Sequence, residues 1–415
     1  MSVRVLAFAA FAACAAPLAA LAQAGESLSL REILRYVEAS NPELAAAVQV
    51  RAGAQAETIT ARAYPNPELE VGGGPWRSRL GGASGNVSSI GLSQPLELPA
   101  VREARAQVAE AGLASADAQG AAVRLAVGYQ ARTAFYEMLR RQEDERLALE
   151  TVKLLSEIQD KVRVRVSVGE APRFELVRAE AETLAAQNSA TSARLRVEEA
   201  RGVLRRLSGN ALPPAFSAAG ALPALPEVPP VAVLSPQVLA AHPSLRALGS
   251  ERERARSRLD QERAQRYPQP TLKLGETRDP EVRQMMLGVS IPLPLWNRRE
   301  GQIAQAQAGI DLAAAQIEAQ RAQLLRELDT AWARVSIAQR QIETFQAGLL
   351  RSAETALRVA EAAWRAGERS FLEVLDAQRT LRAVRSDYTQ VRFDRNAAWL
   401  EIQRLIARDP FAAGD

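Results

Sequence analysis

The stretch QMMLGVSIPL (residues 284–293) sets Met285, Leu287, Val289, Ile291 and Leu293 against Gln284, Gly288 and Ser290. Alternation of period two describes a strand with one apolar and one polar face. Three other stretches behave alike. PELEVGG (67–73) alternates Leu69 and Val71 with Glu68 and Glu70, SIGLSQPL (89–96) aligns Ile90, Leu92 and Leu96, and TLKLG (271–275) alternates again. Turn-like segments at 74–85 and 276–281 join the strands in pairs, which predicts two hairpins, over residues 66–96 and 269–294. Each strand can reach about 9–11 residues, the length of a tilted membrane-crossing strand. Tyr64, Tyr267 and Trp296 fall near strand ends and Trp76 in the first loop, where an aromatic girdle would lie.

The rest of the chain has a different period. Residues 101–171 and 295–409 contain no proline and are rich in Ala, Leu, Arg, Gln and Glu, all strong helix formers. A helix from Val101 to Val166 would be roughly 100 Å long. Rods of that length pack side by side, and alanine at many apolar positions lets them approach closely. The fold class expected is therefore mainly α with a small β part.

Short segments recur in order: NPEL (41–44) with HPSL (242–245), AYPNPELEV (63–71) with RYPQPTLKL (266–274), and GLSQPLELP (91–99) with GVSIPLPLW (288–296). Gly169 in SVGEAPRFELVRAE (167–180) and Gly367 in RAGERSFLEVLDAQ (365–378) continue the series. The chain reads as a tandem repeat, with a first unit at 25–208, a Pro-rich extended connection at 209–236, a second unit at 237–408 and a tail at 409–415. Each unit is expected to run helix, two strands, very long helix, tight turn, helix.

The first 24 residues place Arg4 before an apolar run that ends in Ala22-Gln23-Ala24, the small-x-small pattern of a secretory leader, with Gly25 as first mature residue. Cys14, the only cysteine, lies inside the leader; the alternative is that it becomes a lipidated first residue. Loss of Arg4 takes the formal charge from +4 to +3, too small for a nucleic-acid footprint.

Four strands cannot close a membrane barrel, since about eight are the minimum and open edges are not tolerated in lipid. Two or three copies would satisfy closure.

These residues resemble the TolC family of outer-membrane efflux channels over essentially the whole mature chain. SQPLELP with Arg102, SIPLPLWNRREGQIAQAQA (290–308) and AGERSFLEVLDAQRTL (366–381) are similar to its cobalt–zinc–cadmium branch. The resemblance implies a homotrimer with a shared twelve-stranded barrel in the outer-membrane lipid and a periplasmic tunnel of helices. It also implies a periplasmic membrane-fusion adaptor and an inner-membrane RND pump as partners, with heavy-metal cations as cargo. The turns at Gly169 and Gly367 would lie at the periplasmic end and meet the adaptor. By the same resemblance Glu175, Arg369, Glu373 and Asp376 match a gate of ion pairs and carboxylate rings, with Glu373 standing where better-known members carry Asp. An Arg369–Glu175 pair is expected to hold neighbouring hairpins closed, and rings of Glu373 and Asp376 to favour cations.

Other chemistry finds little footing. There is no P-loop, G-x-S-x-G or H-E-x-x-H, and the mature chain has no thiol nucleophile, so neither an enzyme nor a cofactor is expected. His242, the sole histidine, precedes a proline and reads as a helix-start residue, with no metal site around it. The remaining alternatives are the same channel carrying organic drugs or a secreted protein, and a periplasmic coiled coil without a barrel.

Overall fold

The computed structural model describes residues 26–78, 81 and 84–412. The expected leader at 1–24, Cys14 with it, and the end of the expected tail lie outside the described residues. The chain is mainly helical with a small sheet part. After the short strand β1 (Glu26–Leu28) come helices α1 (Leu30–Ser40) and α2 (Pro42–Arg62), strands β2 (Glu68–Arg77) and β3 (Ser84–Pro95), and helices α3 (Pro99–Ser167) and α4 (Arg173–Leu207). Strand β4 (Phe216–Ala218) leads into α5 (Val231–Ala241), α6 (Pro243–Ala264), β5 (Thr271–Arg278) and β6 (Arg283–Ser290). Helix α7 (Glu300–Thr344), a π-helical turn at Phe345–Leu349, α8 (Leu350–Arg365) and α9 (Phe371–Leu405) complete the chain.

The helix expected at the start of each unit is in fact two. Pro42 and Pro243 open α2 and α6 at the first helical position, and a residue before proline is pushed out of the helical region. Asn41 and His242 are accordingly extended, with ψ of 127° and 125°, and become caps. The Asn41 Oδ1 accepts from Glu43 N at 2.8 Å and Leu44 N at 3.0 Å, and His242 Nδ1 accepts from Ser244 N at 3.3 Å. Helix α1 starts with a reciprocal capping box between Ser29 and Glu32.

Helix α3 is the unbroken rod expected, 69 residues and so about 100 Å long. Its counterpart is not. Between α7 and α8 the π turn contains Gly348 at φ 158°, ψ −13°, a conformation that L side chains rarely adopt. The absence of proline concealed this break, because glycine alone supplies it. The segment 209–236, expected to be an extended connection, is also more structured. Phe216–Ala218 pair in parallel with Glu26–Leu28, Leu212, Phe216 and Leu222 are buried, and α5 begins at Val231 with Pro236 inside it.

Three large cores hold the rods together, besides a small alanine contact of Ala148 with Ala190 and Ala193. Ile33, Val37, Phe135, Met138, Leu204 and Phe216 join α1, α3, α4 and β4 near the middle. Leu324, Leu328, Val335, Ile402 and Leu405 join α7 to α9 and take in α5 through Leu234 and Val238. Ile158, Val162, Trp364, Phe371, Val374 and Leu375 pack the far ends of α3, α8 and α9. The α3–α4 and α8–α9 turns thus lie at one end of the molecule and the sheet at the other.

The sheet is antiparallel throughout, in the order β2-β3-β5-β6, with the two hairpins joined through β3 and β5. Strand β6 stops at Ser290, so Ile291 and Leu293 lie outside the strand that alternation assigned them to. Pro292 and Pro294 follow and cannot donate to a ladder.

Candidate functional site

The register divides the sheet into two chemical faces. Leu69 stands opposite Leu92, Leu92 opposite Leu274 and Leu274 opposite Leu287, while Val71 pairs with Ile90 and Leu272 with Val289. Together with Met285 these side chains form one apolar face, and no described residue covers it. Their exposure runs from 40% at Leu272 to 76% at Val71. A contiguous apolar surface of this kind requires an apolar partner. At the hairpin end of β5 and β6 the same face turns polar, with Arg283 paired to Glu276 at 2.6 Å. At the other end Tyr64, Tyr267 and Trp296 are exposed, Trp296 at 94%, and Arg102 lies 4.3 Å over the Tyr64 ring. The band is bounded by charge on one side and by amphipathic aromatics on the other, as at a membrane's two interfaces. Met285 and Met286 point to opposite faces, as period two requires.

At the opposite end the two helical turns share one geometry. Helix α3 ends with Gly169 at φ +80° and helix α8 with Gly367 at φ +79°. Gly169 N donates to Val166 O at 3.2 Å and Glu170 N to Arg165 O at 2.8 Å; Gly367 N donates to Trp364 O and Glu368 N to Ala363 O, both at 3.0 Å. These are two Schellman caps, and each needs a left-handed residue at the position glycine holds. Helices α4 and α9 then start so that Glu175 and Glu373 occupy the same third helical position, where a carboxylate meets the positive end of the helix dipole.

The expected gate pair is not made within the chain. Arg369 donates instead to Glu373 of its own helix start, at 3.1 Å, with the two side chains 62% and 47% exposed. Arg369 stands in the turn just before the extended N-cap Ser370, so its side chain meets the carboxylate in the first turn of α9, whereas reaching Glu175 on another hairpin requires it to leave its own turn. Glu175 is half-buried and Asp376 exposed, and neither has a cationic partner among the described residues. Sequence reading passed over the apolar side chains beside the first of these turns. Val164 and Val168 lie four apart at the end of α3, and Phe174 and Val177 three apart at the start of α4, all at least 58% exposed. Their helical spacing was a usable signal.

An open groove of about 940 Å³ between α7 and α9 is lined by charges of both signs, among them Arg326, Glu327, Arg334, Asp394 and Glu401. Among the described residues no three His, Cys, Asp or Glu side chains converge as metal ligands, and no helix is long and apolar enough to cross a membrane. His242, fully buried, has its pKa pushed down to about 4 by burial and by Arg404.

Long paired helices ending in a sheet with one uncovered apolar face define the class of outer-membrane channel subunits. The chain belongs to the outer membrane efflux protein family, whose sequence profile matches residues 33–210 and 234–408. It is 31% identical over 388 residues to the cobalt-zinc-cadmium resistance protein CzcC of Cupriavidus metallidurans, covering 93% of this chain and 91% of that one. Among solved structures it resembles the outer-membrane channel OprN, with a TM-score of 0.78 at 18% identity over 92% of this chain and 91% of the other. It also resembles CusC, with a TM-score of 0.77 at 18% identity over 91% of each chain. The open MtrE channel of Neisseria gonorrhoeae gives 0.76 at 19% identity, over 91% and 88%. The protein is thus an outer-membrane efflux channel of the CzcC type, not an enzyme.

Proposed function

We propose that the chain is a tandem repeat whose trimer forms a twelve-stranded barrel continued by a helical tunnel. In this reading it is the passive exit duct of a tripartite system for heavy-metal cations. The observation that carries the reading is the four-stranded sheet with an uncovered apolar face and two unpaired edges, β2 and β6. Unpaired edges are excluded from lipid. In the order β2-β3-β5-β6 the direction alternates at each step, so β6 of one copy can pair antiparallel with β2 of the next, and three copies close a ring. The metal cargo rests on the likeness to a cobalt-zinc-cadmium resistance protein.

The two Schellman turns, the first with Val164, Val168, Phe174 and Val177 exposed beside it, are the surface for a periplasmic adaptor, which links the duct to an inner-membrane RND pump. Glu175, Arg369, Glu373 and Asp376 form the gate. Because Arg369 already has an intrachain carboxylate, its pairing with Glu175 would be an exchange of partners between neighbouring hairpins.

Protein extracted from membranes in detergent is expected to be trimeric and to form low-conducting, cation-preferring pores in planar bilayers, with the preference reduced in Glu373→Gln/Asp376→Asn. A monomer that is soluble without detergent and does not conduct would overturn the channel architecture.

A further inference from the structure

The polar face of the sheet carries its charges unevenly. Its cross-strand rows follow from the register. Glu68 stands opposite Ser93, Ser93 opposite Lys273, and Lys273 opposite Gly288. This row holds one negative and one positive charge. The next row runs Glu70, Gly91, Gly275, Met286, and the one beyond it Gly72, Ser89, Thr277, Gln284. On this face, then, Glu70 is the one charge whose row contains no counter-charge, and it has no cationic partner among the described residues. Two glycines flank it. The Glu70 carboxylate lies back over Gly91, with Oε2 4.0 Å from where a Cβ on that glycine would sit.

Because the apolar face must meet lipid, this polar face lines the barrel lumen. We infer that Glu70 is a specificity-determining residue of the channel: repeated by threefold symmetry, it gives the barrel lumen a cation preference of its own, separate from the carboxylates at the helical turns. Glu70 takes this role only within the trimeric barrel proposed above.

Magnitudes favour a measurable effect. Twelve strands at ordinary spacing and tilt enclose a backbone radius of about 12 Å, and a glutamate swung inward from its place over Gly91 reaches some 5 Å, bringing its charge to about 7 Å from the axis. That is inside the Debye length of roughly 10 Å at 0.1 M salt and well outside the roughly 3 Å at 1 M. Three such charges in water bias cations over anions about twentyfold at the lower salt and only about twofold at the higher. Methionine and glycine elsewhere in the row add no charge to oppose this.

The test is the reversal potential of single channels in a KCl gradient, in a Glu373→Gln/Asp376→Asn background that silences the turn carboxylates. Glu70→Gln should lower the cation-to-anion ratio several-fold near 0.1 M and barely change it near 1 M. Lys273→Gln should raise the ratio, since it uncovers Glu68. A conducting trimer whose ratio ignores Glu70→Gln would overturn the role of Glu70, whereas the absence of any detergent-stable trimer would overturn the barrel itself. Should the trimer form but stay shut, a membrane-impermeant maleimide should label Glu70→Cys and spare Val71→Cys in intact membranes; the reverse pattern would put Glu70 in lipid and end the proposal.

Discussion

The two halves of the chain run through the same succession of helix, helix, strand, strand, long helix and final helix, yet they solve two local problems differently. At the proline corner that opens the second helix, the first half uses Asn41 and the second His242. Asn41 accepts from the helix start and also donates from Nδ2 to Leu207 O at 2.8 Å, so its amide is used at both ends. His242 accepts in the same way at Nδ1 but leaves a buried Nε2 without a partner. In the long rod, α3 is continuous while the second half breaks at Gly348. Similar backbone demands are met in one half by a neutral, fully bonded device and in the other by a titratable or strained one.

The largest expected consequence is a loss of stability on mild acidification that arises at the second half's proline corner. Burial and the Arg404 and Arg246 cations oppose protonation of His242, while Glu327 and Glu401 favour it, and the net result is a pKa of about 4 in the folded chain. Unfolded, the imidazole takes a proton near 6.5. The unfolded state therefore binds more protons between those values, and stability is retained above about pH 6.5 and lost as pH falls towards 4, by about 3 kcal/mol. His242→Asn should flatten this decline in melting experiments at stepped pH, and Asn41→His should add a second one. A wild-type profile with no loss between pH 6.5 and 4 would break the comparison.

The break in the rod predicts effects of opposite sign. Gly348→Ala puts a Cβ on a backbone at φ 158°, and should cost roughly 1–3 kcal/mol or straighten the π turn. Gly120 lies within α3 with open space around it, so Gly120→Ala should stabilise by about 0.5–1 kcal/mol. Denaturant midpoints in detergent would compare them, and stabilisation by both would mean that the break is not a built feature.

Where the halves agree, substitutions should agree too. Gly169 and Gly367 hold the same left-handed cap with nothing within 4 Å of a Cβ, so strain alone sets the penalty. Ala at either should cost about 1–2 kcal/mol, alike in the two turns. Unequal costs, read from the same midpoints, would expose a difference that the backbone geometry does not contain.

Much of this was legible before any coordinates. Alternation at residues 67–73 and 284–290 announced the strands because period two has no competing reading there, and the two turn glycines announced themselves by shared context. The places that escaped were those where one residue acts against its neighbours. Gly348 sits among strong helix formers, whose summed propensity hides a single break. Pro292 ends a strand that alternation alone would continue. Phe216 lies in a segment whose prolines suggest a loose connection, although its ring fills the central core. The intrachain contact of Arg369 escaped for a different reason. Resemblance supplied a long-range acid, Glu175, whereas the local spacing of Arg369 and Glu373 already offered a nearer one.

That local pair sets the smallest of the expected effects. Both members of the Arg369–Glu373 pair are well solvated, and such ion pairs contribute from nothing to about 1 kcal/mol. Arg369→Ala should leave the unfolding midpoint almost where it was, and so should Glu175→Gln. If Arg369 exchanges Glu373 for Glu175 when hairpins meet in the trimer, its importance lies in the closed state and not in folding. Leakage through the closed channel should then rise in Arg369→Ala and in Glu175→Gln, and the double variant should leak no more than either alone, because both remove one interaction. Unchanged conductance in both single variants would leave Arg369 as a solvated residue at a helix start, and additive leakage would assign the two side chains to separate contacts.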